Sequence, residues 1–364
     1  MSVIRPIFDA HLDLAWSAIY YDRDLTLELQ LTRQREQGMT DAAGRGCNTV
    51  TFPELKKAGV RWAIGTLLAR GGPAQPWRAA HKRMDLDYVN QLHTYAVAQG
   101  QLAYYRMLEN QGVLKLIRHS EELESTASLG MILSMECADP IMSPAQVQEW
   151  WDAGLRAVGP AHYGQNCYAH GTGVSGPLSS RGPELLQEFD RVGMILDVTH
   201  LCDQSMAEAL DLFGGHVLAS HHNCRALVPG DRQLSDEQIK QLIQRNAVIG
   251  VALDAWMLYP NWVRGETKPE VVGLSAAVDQ IDHVCQLAGS ARHSGIGSDL
   301  DGGFGTEQTP RDLNTIFDLQ KLAEILSSRG YVDSDIDLIF HRNWLRFFRE
   351  ALPAGKPPLR IHDS

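Results

Sequence analysis

From Met131 onward the chain falls into a rhythm that few folds accommodate: short apolar runs, each followed by a helical pattern of roughly 10 to 15 residues. The runs are Met131–Met135, Leu155–Gly159, Met194–Val198, Val217–Ala219, Val248–Leu253 and Gly295–Gly297, and with Ile4–Ala10 and Val60–Leu68 they make eight. Helix starts stand between them: Ser143-Pro144 before Ala145–Trp151, Ser235 with Gln238 three residues on, and Thr309-Pro310 before Leu313–Leu326. Continuous apolar strands alternating with helices mean a parallel sheet covered on both faces. Eight units favour a closed (β/α)8 TIM-type barrel over an open doubly wound sheet, and no GxGxxG follows the first strand.

At 364 residues such a barrel is expected to fill 1–352 as one domain, ending in a helix over Asp335–Leu352 that packs outside the barrel, with a surface tail at 353–364. Val113–Ile117 reads as a short extra strand, His81–Asn110 as one or two helices, and Glu121–Ala127 as helical. Leu25–Gly38 reads as a helix or lid segment and Thr40–Thr49 as a loop, together placed to cover a site. The net charge of -11 argues against nucleic acid or an anionic membrane as partner and leaves small ligands. No apolar leader precedes the first strand and no run of about 18 apolar residues occurs, so a soluble cytoplasmic protein is expected. Six scattered cysteines without CxxC spacing argue against a disulfide framework and a cysteine zinc knuckle.

In a barrel, chemistry belongs at the carboxyl ends of the strands. There the chain places His11 and Asp13, then Glu136, His162, His200, His221 with His222, and Asp299 with Asp301; only the second and seventh runs read as lacking such a group. A single histidine at a strand end is ordinarily satisfied locally. Several imidazoles and carboxylates converging on one mouth are what a metal centre needs, since zinc takes nitrogen and oxygen ligands and one carboxylate can bridge two ions.

The blocks DAHLDL, MECADP, VTH, SHHNCRALVPGDRQLSD and IGSDLDGG, in this order between about Phe8 and Gly303, resemble the membrane (renal) dipeptidase family, the M19 peptidases of the amidohydrolase superfamily. The resemblance implies a barrel holding two zinc ions, with His11 and Asp13 on one, His200 and His221 on the other, and Glu136 bridging both. It further implies that His162 contacts the substrate carbonyl, Arg232 the terminal carboxylate, and that Asp299 handles protons. The implied substrate is a dipeptide, including those with a D-residue second, and a homodimer fits the family. Two other readings are a barrel acting on another small amide, lactam or lactone, and a non-catalytic metal- or peptide-binding barrel.

Some positions depart from the pattern or admit two roles. Cys137 stands where the family usually has glycine, and Cys137, Cys202 and Cys224, all close to proposed ligands, are read as buried filler. His222 would point away from His221 and is assigned behind the site or to the surface. Asp299 is preferred over Asp301 as the acid/base group, Asp301 being left to fix the Gly302-Gly303 turn, and no glutamate closes a calcium loop there. Tyr163, Tyr168 and His170 are candidates for the pocket wall.

Overall fold

The computed structural model describes residues 4–71, 87–124 and 128–355. Among the described residues nine parallel strands carry the fold: β1 (Ile7–Leu12), β2 (Val60–Leu67), β3 (Leu114–Leu116), β4 (Leu129–Met135), β5 (Leu155–Val158), β6 (Ile195–Asp197), β7 (Val217–Leu218), β8 (Ile249–Val251) and β9 (Ser294–Ile296). Their order is β7-β6-β5-β4-β2-β1-β9-β8. A parallel bridge from Ala219 to Ile249 joins the two ends, with Ala219 N–H donating to Val248 O at 3.1 Å and Gly250 N–H to Ala219 O at 2.9 Å. The result is the expected (β/α)8 barrel. The extra strand β3 lies beside the start of β4 because β5 pairs with β4 only from Leu133 onward.

All eight expected strands form, most of them trimmed by one to three residues. The first is displaced: it begins at Ile7 and runs through His11 to Leu12, since Leu12 still pairs with Gly65 of β2. Polar His11 hid that extension. The pairing slips between Asp9 and Leu12, beside the His11 and Asp13 pair.

The helices show where local signals sufficed. Ser235 and Gln238 form a reciprocal capping box at the helix Asp236–Gln244, as their spacing requires. Thr309-Pro310 starts nothing: Thr309 is buried and donates to Leu313 O, while the helical segment begins six residues later, as a 3-10 turn Ile316–Gln320 capped by Thr315 and Asp318 and continued by Lys321–Ser328. Within Leu25–Gly38 only Leu29–Arg35 is helical. In the long region ending at Asn110 the described helix is Gln91–Asn110, residues 81–86 lying outside the described residues, as do 125–127 of the segment expected to follow Glu121. No helix among the described residues is long and apolar enough to cross a membrane.

The carboxyl-terminal segment seals the barrel from below. It runs as Asp333–Asp337, a π-helical turn Leu338–Arg342, and Asn343–Ala351. Trp344, Phe347 and Phe348 pack against Phe8, Ile64, Ile132 and Ile195 from the barrel strands, and Trp344 Nε1 donates to Ile296 O at 3.0 Å. The tail begins pinned, with Ser120 N–H donating to Pro353 O; residues 356–364 lie outside the described residues. With its floor filled, the barrel leaves only the opposite end for a polar site. Trp344→Ala removes a buried indole that nothing can replace; it is expected to cost about 3–5 kcal/mol, read as a lower denaturant midpoint with little change in slope.

Candidate metal centre

The carboxyl ends of β1, β4, β5, β6, β7 and β9 bring His11, Asp13, Glu136, His162, His200, His221 and Asp299 together. Glu136 Oε1 is the hub. The Nε2 atoms of His200, His221, His162 and His11 stand 3.3, 3.4, 3.5 and 3.6 Å from it. His200 Nε2 and His221 Nε2 are 3.3 Å apart, and His11 Nε2 lies 3.6 Å from Asp13 Oδ1 and 3.9 Å from Asp299 Oδ1. Two donors each about 2.0–2.1 Å from one tetrahedral zinc stand about 3.3 Å apart, so these spacings suit ligands of a shared ion. His11 Nε2 and Glu136 Oε2 are buried without a hydrogen-bond partner, as atoms reserved for a cation would be.

The opposite edges of the rings set which nitrogens are available. Ser220 Oγ lies 3.0 Å from His221 Nδ1 and 3.4 Å from His11 Nδ1, and Thr172 Oγ1 lies 3.0 Å from His200 Nδ1 while also reaching His200 O. A hydroxyl oxygen accepting from each Nδ1–H leaves the Nε2 lone pairs of these three rings facing the cluster. His162 differs. Arg70 Nη1 lies 2.9 Å from its Nδ1, and a guanidinium only donates, so Nδ1 accepts and Nε2 carries the proton. His162 can therefore donate a hydrogen bond into the site, and its geometry disfavours it as a ligand. Arg70 is itself bound through two nitrogens to Asp87.

The electrostatics follow from burial and crowding. Burial, with Arg232 and neighbouring imidazoles, holds His200 and His221 well below the usual histidine range, in the neutral form that binds metal. For His11, burial lowers the pKa, but Glu136, Asp13 and Asp299 outweigh it and push it up to about 10. Burial raises Glu136 and Asp299 well above the carboxylate range, and Asp13 adds to both while His11 opposes. Carboxylates so placed need positive charge among them.

Local backbone holds the acids in place. His200 and Asp299 adopt left-handed conformations, φ 69° and 60°, uncommon away from glycine. A Cβ at Gly302 would collide with Asp299 Oδ1, so only glycine permits that approach. The Gly302-Gly303 turn is held by Gly302 N–H donating to Asp299 O at 3.0 Å, whereas the Asp301 carboxylate, expected to fix it, accepts from Thr49 N–H (2.7 Å), Thr49 Oγ1 (2.8 Å) and Val50 N–H (3.0 Å), tying the end of the 25–49 segment to the site loop.

Above the cluster opens a cavity of about 560 Å³ lined by Arg70, His162, Tyr163, Arg232, Asp254, Trp256, Trp262, Arg264 and Asp299, among others. Arg232 is 2% exposed; Nη2 donates to His221 O at 2.9 Å, and Nη1 has no partner. No residue of the 25–49 segment lines this cavity, although 41–43 line a neighbouring one. Of the three wall candidates only Tyr163 lines it; Tyr168 is fully buried against Ile141 O, and His170 bonds Pro177 O.

Other expectations also meet the geometry. His222 is buried, not on the surface, with its ring against the Arg232 backbone behind the site. The thiols of Cys137, Cys202 and Cys224 turn to Asn166 Oδ1, Gly176 O and Gln280 O instead of the cluster. Asn166 Oδ1 also accepts from His162 N–H at 2.5 Å, so Cys137 helps hold the loop that carries His162. Arg70 and Asp254 were missed. Asp254 directly follows the seventh run and Arg70 stands two residues past the second, the two runs read as lacking a polar terminus.

A closed parallel barrel with this nitrogen and oxygen cluster at its mouth defines a (β/α)8 barrel carrying a candidate metal centre. The family profile "Membrane dipeptidase (Peptidase family M19)" matches residues 2–357, and the chain belongs to that family. An uncharacterized dipeptidase of Schizosaccharomyces pombe is 27% identical over 61% of this chain and 54% of its own length. Dipeptidase aclJ of Aspergillus oryzae is 24% identical over 94% of this chain and 77% of its own. The chain spans about half the length of the first curated relatives it matches, 54% and 45%. Among solved structures, the metallopeptidase dipeptidase AC has a TM-score of 0.79 at 20% identity, covering 97% of this chain and 100% of that one. A metallopeptidase of Rhodobacter sphaeroides, liganded with a phosphinate mimic of L-Ala-D-Ala, has a TM-score of 0.76 at 20% identity, covering 96% and 100%. These structures share the fold.

Because His11 Nε2 is buried within the cluster without a hydrogen-bond partner, His11→Ala is expected to lower bound metal per chain while the far-ultraviolet spectrum stays that of the parent. Elemental analysis of the purified protein checks this, and unchanged metal content would remove His11 from the ligand set.

Proposed function

We propose that this protein is a zinc-dependent dipeptidase that hydrolyses the amide bond of small dipeptides, including those with a D-residue at the carboxyl-terminal position. The observation that carries the reading is Arg232: a buried guanidinium with a partnerless Nη1 lining the same cavity as the cluster. A planar donor fork beside a metal-type centre suits an amide substrate that ends in a free carboxylate. The dipeptidase names among the relatives support the activity, and the L-Ala-D-Ala mimic bound to the Rhodobacter sphaeroides protein supports the D-residue. Six free cysteines suit a reducing compartment, so we assign the protein to the cytoplasm.

In this reading His11 and Asp13 would hold one ion and His200 and His221 a second, with Glu136 available to both. Bound there, the ions would polarise the scissile carbonyl and acidify the attacking water. His162 Nε2–H donates to the carbonyl oxygen as it gains charge, an interaction strengthened by the low dielectric of the barrel mouth. Asp299 accepts the proton of the attacking water and returns it to the leaving amine. Arg232 anchors the carboxylate of the second residue, which limits the substrate to short peptides.

Chelation is expected to abolish turnover of L,L and L,D dipeptides, and added zinc to restore it; full activity in metal-free protein would sink the proposal. Asp299→Asn should lower kcat by about 10²–10⁴-fold with metal content unchanged. Arg232→Met should raise KM for free dipeptides far more than for dipeptide amides, and an equal effect on both would refute its role.

A further inference from the structure

The cavity contains a buried acid that the reaction above does not use. Asp254 stands just beyond β8, is 4% exposed, and lines the cavity with Trp256 and Arg264. Its carboxylate accepts from Gln308 Nε2 at 2.8 and 2.9 Å and from Trp256 N–H at 3.4 Å. Gln308 Oε1 in turn accepts from Arg264 Nε at 3.0 Å, which fixes the amide with its N–H group toward Asp254. The donors that touch the carboxylate are therefore neutral, and among the described residues Asp254 forms no ion pair. Burial pushes its pKa up to about 6, and Arg264 and the Gln308 bond oppose the rise without cancelling it. A carboxylate in this state is costly to bury unless a cation reaches it.

The same cavity thus offers an anion and a cation left incompletely paired, Asp254 and Arg232. A dipeptide is a zwitterion with its scissile amide between an ammonium and a carboxylate. With Arg232 taken by the carboxylate, the ammonium is the group with no assigned receptor. We propose that Asp254 receives the α-ammonium of the dipeptide's first residue and thereby selects free dipeptides over acyl amino acids, with Gln308 and Arg264 as its positioning residues. This inference rests on the dipeptidase reading and adds a selectivity that reading does not require. Asp299 lies in the same electrostatic neighbourhood but is committed to proton transfer, so the two acids divide binding from chemistry.

The test compares two substrates that differ by one group. Alanyl-alanine and N-propionyl-alanine are the same molecule except that a hydrogen replaces the ammonium. The second alanine is taken as L or D, whichever the parent hydrolyses faster. The parent protein is expected to favour alanyl-alanine by about 100-fold in kcat/KM, the scale of a buried charge pair. Asp254→Asn should collapse that ratio to below about 10-fold, chiefly through KM for alanyl-alanine, with metal content unchanged. Asp254→Ser, which keeps a hydroxyl acceptor for Gln308, is read the same way should the asparagine variant not fold. An unchanged ratio in whichever variant folds, or a parent that hydrolyses both substrates equally well, overturns the assignment of Asp254 alone. A metal-loaded parent that hydrolyses neither overturns the dipeptidase reading, and this inference with it.

Discussion

Glu136 Oε1, with four imidazole nitrogens within 3.6 Å, is the contact on which the rest of this structure depends. Without a shared cation the arrangement is unfavourable: lone pairs face one another, and Asp13 and Asp299 crowd the same space under heavy desolvation. Glu136, Asp13 and Asp299 push the His11 pKa up against its burial, a sign of the positive charge the cluster demands. A metal ion would supply it. The architecture around the cluster follows from this demand, because no flexible scaffold would keep so many like charges together.

Rigidity comes from both ends of the barrel. Below, the aromatic group of Trp344, Phe347 and Phe348 fills the floor against the inward-facing apolar residues. Above, each cluster ring is held on its far edge by a hydroxyl or a guanidinium, and Asp9 ties β1 to the loop after β9 by accepting from Ser298 N–H, Ser298 Oγ and His11 N–H. Asp301 extends the same bracing outward to Thr49 and Val50. The buried pair of Arg23 and Glu36 then holds the 25–49 segment in its turn. That segment is a buttress to the loop of Asp299 more than a cover for the cavity.

How much of this was legible depends on the range of the interactions involved. The strands were readable because their apolar runs answer to burial on both faces, and the cluster was readable because barrel topology converts strand ends into neighbours. Helix starts were readable where the cap is local, as at Ser235, and misread at Thr309, whose hydroxyl serves Leu313 O within a buried loop. Asp254 and Arg70 stand as near their runs as Glu136 and His162 do to theirs, but what sets them apart, their contacts with Gln308 and with His162, is not encoded in spacing. The roles of Asp301 and Asn166 lie in contacts with distant or irregular backbone that spacing does not encode.

His162 shows most sharply what spacing leaves open. In the chain it is one more histidine at a strand end, indistinguishable from His200 and His221. Its Nε2 comes as near to Glu136 as theirs do, so distance to the hub does not separate it either. The distinction lies on the other edge of the ring. Serine and threonine hydroxyls can accept a proton from Nδ1 and leave Nε2 to a metal, whereas Arg70 can only give one and so leaves Nε2 protonated. One arginine therefore turns a potential ligand into a hydrogen-bond donor, and the separation of metal binding from oxyanion stabilisation in the proposed mechanism is built from the choice of that single partner.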